Sequence, residues 1–175
     1  MISHLYIYPI KSLGAVSLQK AVLEKEGLRG DRRFMIVDAQ GKFITQRTRP
    51  ELTRFVLTES EKGFIVQDSL TNKAKELSWE PDLGSWISVE IWEDSLQAPE
   101  VLEGWSEWFS TALGEEVKLV RLSEEKPRSM KSKYQTELAK NTSFADSLPL
   151  LVVGSGSYAA LEDHLNDRVD RLRFR

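Results

Sequence analysis

The chain has 175 residues, of which 41% are hydrophobic and 29% are charged, so it is long enough for one domain with a real core and unlike a disordered or collagenous protein. It contains no cysteine, which excludes a disulfide scaffold, a thiolate metal site and a cysteine nucleophile within this sequence. The formal net charge is −3, and no window approaches the roughly 18 apolar residues of a membrane span, so we expect a cytoplasmic protein without a membrane partner.

The first ninety residues predict short strands joined by turns. Alternating or β-rich segments are typical of strands that bury one face. The predicted strands lie at 4–8, 15–23, 34–37, 43–45, 52–57, 64–66 and 86–92. Gly41 stands between the third and fourth of them and is free to adopt positive φ, so these two predict a hairpin.

The next segment predicts a helix that packs on the strands. Trp105, Phe109 and Leu113 recur at helical spacing within 101–113, and Gly114 follows as a C-terminal cap. We expect these three side chains to be largely buried, with Trp108 at the edge of the apolar stripe.

The remaining residues predict two strands and a helix around a long loop. A strand is predicted at 117–122, a polar loop at 123–147, a buried strand at 148–153, a helix at 156–167, and the start of another strand at 172–175. Loops as long as 123–147 are usually functional or mobile. The helix is expected to bury Tyr158, Leu161 and Leu165, with Ser155 or Ser157 as its N-cap. The fold class is therefore α+β, with a mostly antiparallel, barrel-like sheet and two or three packed helices.

The distribution of charge indicates an anion site near the amino terminus. Residues 1–55 hold ten Lys and Arg against five Asp and Glu, whereas 56–175 hold fourteen against twenty-two. A local positive region on an acidic chain is unlike a nucleic-acid surface, which usually belongs to a basic domain. Solvated charged faces on two lobes explain the same distribution equally well.

Two clusters of cations are candidates for that site. Lys11 and Ser12 follow a strand, and Arg32 lies within an Arg-rich turn before the strand at 34–37. Ammonium, hydroxyl and guanidinium groups together suit phosphate oxygens. Alternatively, these are surface charges, with Arg32 paired to Asp31 and Lys11 pointing into solvent, and spacing alone favours this second interpretation slightly. The Gly-Ser turn at 154–157 is a phosphate cradle or a simple helix start.

Three stretches of the sequence, 8–12, 26–38 and 43–47, resemble the N-terminal region of MOSC-family proteins. The resemblance continues diffusely to Arg175 and includes the bacterial MOSC reductases and the mitochondrial amidoxime-reducing component. It implies a β-barrel-like region at 1–122, then a connecting loop and the beginning of a truncated MOSC domain at 123–175. It also implies a molybdenum cofactor (molybdopterin) in the full-length parent. The implied cofactor-binding residues are Lys11, Ser12, Arg32, Asp146, Ser147 and Arg175.

Two departures from the family pattern bear on activity. The family's Pro-Asn after Phe174-Arg175 is missing, and its molybdenum-ligating cysteine is absent. We therefore assign no catalytic and no metal-ligating residue, and we expect this chain alone to be inactive, without tightly bound cofactor. The implied partners are the missing C-terminal MOSC segment and an electron-donor protein or domain.

Three functions remain open at this point. The first is the N-terminal portion of a MOSC oxidoreductase whose parent reduces N-hydroxylated or N-oxygenated compounds, with the cofactor performing the chemistry. The second is a stand-alone, non-catalytic binding module for an anionic small molecule or a protein partner. A nucleic-acid binder using the basic loop at 126–140 is disfavoured, because the isoelectric point is about 5.6 and Tyr134 is the single aromatic residue there.

Overall fold

Short strands dominate the computed structural model, which describes residues 1–166 and 168. The strands are β1 (Leu5–Ile7), β2 (Val16–Leu18), β3 (Leu23–Glu24), β4 (Gly27–Leu28), β5 (Phe34–Asp38), β6 (Phe55–Glu59), β7 (Gly63–Asp68), β8 (Ala74–Ser78), β9 (Leu83–Ile91), β10 (Asp94–Val101), β11 (Val117–Arg121), β12 (Arg128–Ser129) and β13 (Asn141–Thr142). The helices are α1 (Trp105–Leu113) and α2 (Ser155–Leu165), with 3₁₀ turns at Pro50–Arg54 and Ser132–Tyr134. Neither helix is long and apolar enough to cross a membrane, as judged over the described residues.

Every pairing between these strands is antiparallel. The largest sheet has the order β5-β11-β10-β9, the next has the order β6-β7-β8, and three pairs complete the set: β1-β2, β3-β4 and β12-β13. The predicted α+β class, mostly antiparallel with two helices, is confirmed. The sheets of the described residues do not join into one closed barrel, so the barrel-like part of that prediction stays a prediction.

Strand β5 is buried on both faces, although it is the end strand of its four-stranded sheet. Side chains of a strand alternate between its two sides. Phe34 and Ile36 belong to one apolar cluster, which also contains Trp105, whereas Met35 and Val37 belong to a second cluster. The residues immediately before β5, including Arg32, are therefore attached to a strand that packs into both apolar clusters.

Helix α1 packs against β11 with the predicted face but begins later than predicted. Trp105 and Phe109 are fully buried, whereas Leu113 and Trp108 are half-buried at the edge of the cluster. Gly104, at φ +71°, begins the helix, and Val101 belongs to β10. The predicted start at 101 is wrong because Val101 is the last residue of strand β10.

Strands β8 and β10 have no counterpart in the sequence prediction. β8 is polar apart from Leu77, and β10 contains Pro99. Strand propensity depends mostly on packing against neighbours. β8 is therefore a strand because it pairs with β7, and β10 because it pairs with β9, although the composition of neither segment predicts a strand.

The predictions for 148–165 are partly wrong. Residues 148–153 form no strand, and their apolar side chains are exposed, Val152 by 89%. Helix α2 forms, but Tyr158 is its one buried residue, and Leu165 is exposed. An apolar run predicts burial, yet burial needs a covering surface, and the described residues supply none here. Gly154 is the N-cap rather than a serine. The predicted strand at 172–175 lies outside the described residues.

Candidate functional site

Five of the predicted site residues line one concave pocket of about 490 Å³. They are Lys11, Ser12, Arg32, Asp146 and Ser147. Arg175, the sixth, lies outside the described residues. The structure thus brings together residues that are more than a hundred positions apart in the sequence, while their cofactor-binding role stays a prediction.

Backbone hydrogen bonds hold the segments of the pocket side by side. The N–H of Lys11 donates to the carbonyl of Phe34 at 2.8 Å, and the N–H of Arg32 donates to the carbonyl of Tyr8 at 2.8 Å. The N–H of Phe144 donates in turn to the carbonyl of Arg32 at 3.0 Å. The geometry of the pocket is therefore fixed by main chain, not by its charged side chains alone.

Lys11 is buried in this pocket, with only 7% of its surface exposed. Its Nζ donates to the carbonyl oxygen of Phe144 at 2.9 Å and to Oδ1 of Asp146 at 2.5 Å. Burial lowers the pKa of Lys11, and Arg32 and Arg128 reinforce that shift although Asp146 opposes it. A lysine pointing into solvent is thus the wrong interpretation. An ammonium carries three donors, so the two described bonds leave one for a ligand.

Arg32 pairs with Asp31, as the surface-charge interpretation predicts, but the pair is buried rather than on the surface. The side chains are 12% and 5% exposed, and Nη1 of Arg32 donates to Oδ2 of Asp31. Oδ1 of Asp31 accepts the N–H of Tyr8 at 2.7 Å. Burial raises the pKa of Asp31, and Arg32 opposes this shift. Asp31 occupies one N–H group of Arg32, and a guanidinium has five.

The far end of the pocket is held by a second buried cation, Arg128. Its Nη1 donates to the carbonyl of Ser143 at 3.1 Å and to that of Ala145 at 2.5 Å, and its Nη2 pairs with Asp94 at 2.6 Å. Lys11 and Arg128 together therefore fix the end of the loop at 123–147, which presents Asp146 to the pocket.

Backbone strain is concentrated at this pocket. Ser12, Arg32 and Trp92 line it and have φ values of 69°, 49° and 54°. The left-handed conformation costs an L-residue roughly 1–2 kcal/mol. Three of the six non-glycine residues with positive φ in the described chain are thus at one site. Strain that persists in a fold tends to mark functional positions.

Sequence reasoning missed several residues of the pocket wall. Those additional residues are Tyr8, Thr45, Gln46, Trp92, Leu150 and Leu151. Leu148, which the family resemblance implies lies along the cofactor with Asp146 and Ser147, also lines the pocket. Arg47, which the sequence places near the two cation clusters across the predicted hairpin, also lines it. Trp92 occupies the two-residue turn between β9 and β10, where glycine or asparagine is usual, but the sequence predicts no strand at β10 and so gives no signal for this turn.

A family model described as the MOSC N-terminal beta barrel domain matches residues 1–116. The chain belongs to this family. Its relatives include a molybdenum cofactor sulfurase of Oryza sativa subsp. japonica, 28% identical over 97% of this chain and 23% of the relative. They also include mitochondrial amidoxime-reducing component 1 of Mus musculus, 26% identical over 99% of this chain and 53% of the relative. The chain therefore spans about a quarter to a half of the length of these curated relatives.

A solved structure supports the fold. The solution structure of a Bordetella bronchiseptica protein matches 71% of this chain and 92% of its own, with a TM-score of 0.54 and 12% identity. At that identity, the match shows a shared fold and nothing about ligands.

The MOSC pocket has a positive balance of charge. Three cations, Lys11, Arg32 and Arg47, line it together with one carboxylate, Asp146, and a second carboxylate, Asp31, pairs with Arg32 beside it. By contrast, Arg49, which the sequence places across the same hairpin as Arg47, pairs with Glu115 at 2.6 Å and does not line the pocket. Two carboxylates do not balance three cations, so one net positive charge is left in the concavity, and this arrangement favours an anionic ligand. Among the described residues, no group of three or more His, Asp and Glu side chains is placed to hold a metal.

The Lys11–Asp146 pair makes a testable contribution to stability. Burial raises the pKa of Asp146, but bonds from Lys11 and Trp92 outweigh it, so the pKa lies below its ordinary value of 3.8. Because the folded pKa is lowered, the carboxylate stabilises the fold above about pH 4 and loses that effect as the pH falls through the lowered value. We expect Asp146→Asn to lower Tm by a constant amount from about pH 5 to 7 and by less towards about pH 2.

Thermal unfolding of both proteins across this pH range measures the effect. Glu61→Gln, which removes an exposed carboxylate outside the pocket, is the control. A Tm difference that grows as the pH falls would contradict the assignment.

Proposed function

We propose that this chain holds the phosphate-bearing end of a molybdenum cofactor and is the N-terminal portion of a MOSC oxidoreductase. Its parent is proposed to reduce N-hydroxylated or N-oxygenated compounds. The observation that carries the proposal is the pocket in which Lys11, Ser12 and Arg32 meet in a member of the MOSC family. The name of the molybdenum cofactor sulfurase relative supports the choice of ligand, and that of the amidoxime-reducing relative supports the proposed reduction.

The residues of the pocket fit a pterin ring that carries a phosphate. The third donor of Lys11 and the remaining N–H groups of Arg32 suit phosphate oxygens, and the hydroxyl of Ser12 adds another donor. The carboxylate of Asp146 is an acceptor, which suits the N–H groups of a heterocycle. The volume of about 490 Å³ lies within the range of small-molecule sites.

The bound cofactor would supply the redox chemistry. This chain's residues would bind and orient it: Lys11 and Arg32 neutralise the phosphate, Ser12 donates to it, and Asp146 and Ser147 border the ring. The chain contains no cysteine, so we propose that any sulfur ligand lies in further residues of the protein. We also retain the division into 1–122 and 123–175, an electron-donor partner and a cytoplasmic location as proposals.

Exposed apolar residues support a covering segment next to the pocket. Leu148, Leu150 and Leu151 are each about half exposed, and the first two flank Pro149 at the pocket's border. Contiguous exposed apolar surface usually marks an interaction site. We propose that further residues of the MOSC domain pack on 148–153.

Ser12→Gly tests the anion site without weakening the fold. Removing Cβ relieves roughly 1–2 kcal/mol of left-handed strain, against roughly 0.5–1 kcal/mol for the greater chain entropy of glycine, so stability is kept. A hydrogen bond to a charged group contributes about 1.5–3 kcal/mol. We therefore expect affinity for a pterin monophosphate, measured by calorimetry, to fall about 10- to 100-fold with unchanged Tm.

Asn72→Gly is the matched control, because Asn72 also has positive φ, at 58°, and does not line the pocket. Absence of binding by the unmodified chain, or equal binding by Ser12→Gly, would contradict the proposal. Equal affinity for inorganic phosphate and pterin monophosphate would favour the non-catalytic anion-binding module instead.

A further inference from the structure

Trp92 is the aromatic residue of the pocket whose backbone has a positive φ. It begins the two-residue turn between β9 and β10, and its φ is 54°. Glycine removes the steric penalty of that conformation, whereas an indole retains it. The side chain is nevertheless 46% exposed and lines the pocket, so it is not kept there by burial in the core.

Three contacts fix the plane of this indole. Its Nε1 donates to Oδ1 of Asp146 at 3.1 Å, and the Phe43 ring meets it edge-on at 4.9 Å between centroids. The guanidinium of Arg47 lies 5.2 Å from its centroid. Oδ1 of Asp146 also accepts the ammonium of Lys11. One carboxylate oxygen of Asp146 therefore accepts from both the indole of Trp92 and the ammonium of Lys11, and this sets the spacing between these two side chains.

A second exposed tryptophan shows that such contacts alone do not make a site. Trp86 is 37% exposed and has Lys126 Nζ at 4.5 Å from its ring centroid. It lies within β9, has no positive φ and does not line the pocket. Trp92 differs from Trp86 in three ways. Its backbone has positive φ, the plane of its indole is fixed by contacts, and it lies beside the cations of the pocket.

We propose that Trp92, with Arg47 stacked beside it, is the wall that selects a planar heterocycle in this pocket. The inference rests on the proposed function and adds a determinant of specificity to it. An indole face and a guanidinium plane both stack on flat conjugated rings. A phosphate on an open chain has no ring to place there. Lys11, Ser12 and Arg32 would therefore bind the anion, while Trp92 and Arg47 distinguish what is attached to it.

The test compares two probes on the full chain: a pterin monophosphate and glycerol 3-phosphate. Base-on-aromatic stacking energies predict that Trp92→Leu weakens binding of the pterin monophosphate about tenfold. Binding of glycerol 3-phosphate should stay within about twofold of the unmodified chain, because no stacking is lost. Trp92→Phe retains a ring and should recover most of the affinity, and Trp86→Leu is the control outside the pocket.

The outcomes separate this inference from the proposed function. If the unmodified chain binds neither probe, both are overturned. If it binds both probes and Trp92→Leu weakens them equally or not at all, the ring-selecting wall is overturned and the anion site stands. If Trp92→Leu does not fold, as judged by circular dichroism, Trp92→Phe decides: affinity for the pterin near that of the unmodified chain supports stacking, and a loss equal for both probes overturns it.

Discussion

Replacing Trp105 by alanine lowers the free energy of unfolding by about 3–5 kcal/mol, the usual loss for an emptied aromatic core site. The indole is fully buried in the cluster beneath α1, where the ring centroids of Trp108 and Phe109 lie 5.7 and 5.8 Å away. The cavity left by the indole does not refill easily, because most of the side chains around it belong to strands. Denaturant unfolding, with the slope held common to both proteins, measures the change.

Two further variants make the result specific. Among the described residues, the buried Nε1 of Trp105 has no hydrogen-bond partner, so Trp105→Phe removes an unsatisfied donor and costs much less than alanine. Trp86→Ala truncates a partly exposed indole and should change stability by about 1 kcal/mol or less. A loss for Trp105→Ala no larger than that for Trp86→Ala would show that the core has been assigned to the wrong helix face.

Replacing Arg32 by alanine should reduce both ligand affinity and stability. Lost hydrogen bonds to a phosphate weaken binding of a pterin monophosphate by about 10- to 100-fold. The variant also leaves Asp31 buried and unpaired, and breaking a buried pair costs about 3–5 kcal/mol. The sequence alone predicts a selective loss of cofactor, so the buried position of Asp31 changes the expected result.

The double variant Asp31→Asn/Arg32→Ala separates the two effects. Asparagine keeps an acceptor for the N–H of Tyr8 and carries no charge. We expect it to recover most of the stability and none of the affinity. Arg29→Ala, which removes an exposed cation paired with Glu24 outside the pocket, is the charge-matched control. Recovery of binding in the double variant would exclude Arg32 as a ligand-contacting residue.

The sequence predicted those parts of the fold that carry a local signal. The helix face of Trp105 and Phe109, the strand β11 and the turn at Gly41 all follow from periodicity or turn chemistry. Strand β10 did not, because its polar residues are held by the neighbouring strands β9 and β11. The apolar run at 148–153 produced the opposite error. Its composition predicts a buried strand, but the described residues supply no surface that covers it.

The pocket was predicted through family resemblance more than through residue spacing. Lys11 and Arg32 were identified, yet spacing alone left them as surface charges. Their burial depends on Phe144 and Asp146, which no local pattern connects to the first strand. Trp92 was missed because it ends the predicted strand at 86–92, and an aromatic residue in such a strand is usually assigned to the packing of that strand.

The bonds of Lys11 also determine when the pocket forms. Its partners Phe144 and Asp146 lie 133 and 135 residues further along the chain. At roughly 5–20 residues per second, a ribosome needs roughly 7–27 s to synthesise that interval. Strand pairs that are close in sequence, such as β1-β2, β6-β7 and β9-β10, can form during this time, whereas β5 waits for β11 and contacts as distant as those of Lys11 form late. A newly made chain therefore passes through a stage with a paired β framework and no finished pocket, and a ligand of this pocket cannot serve as the nucleus on which that framework folds.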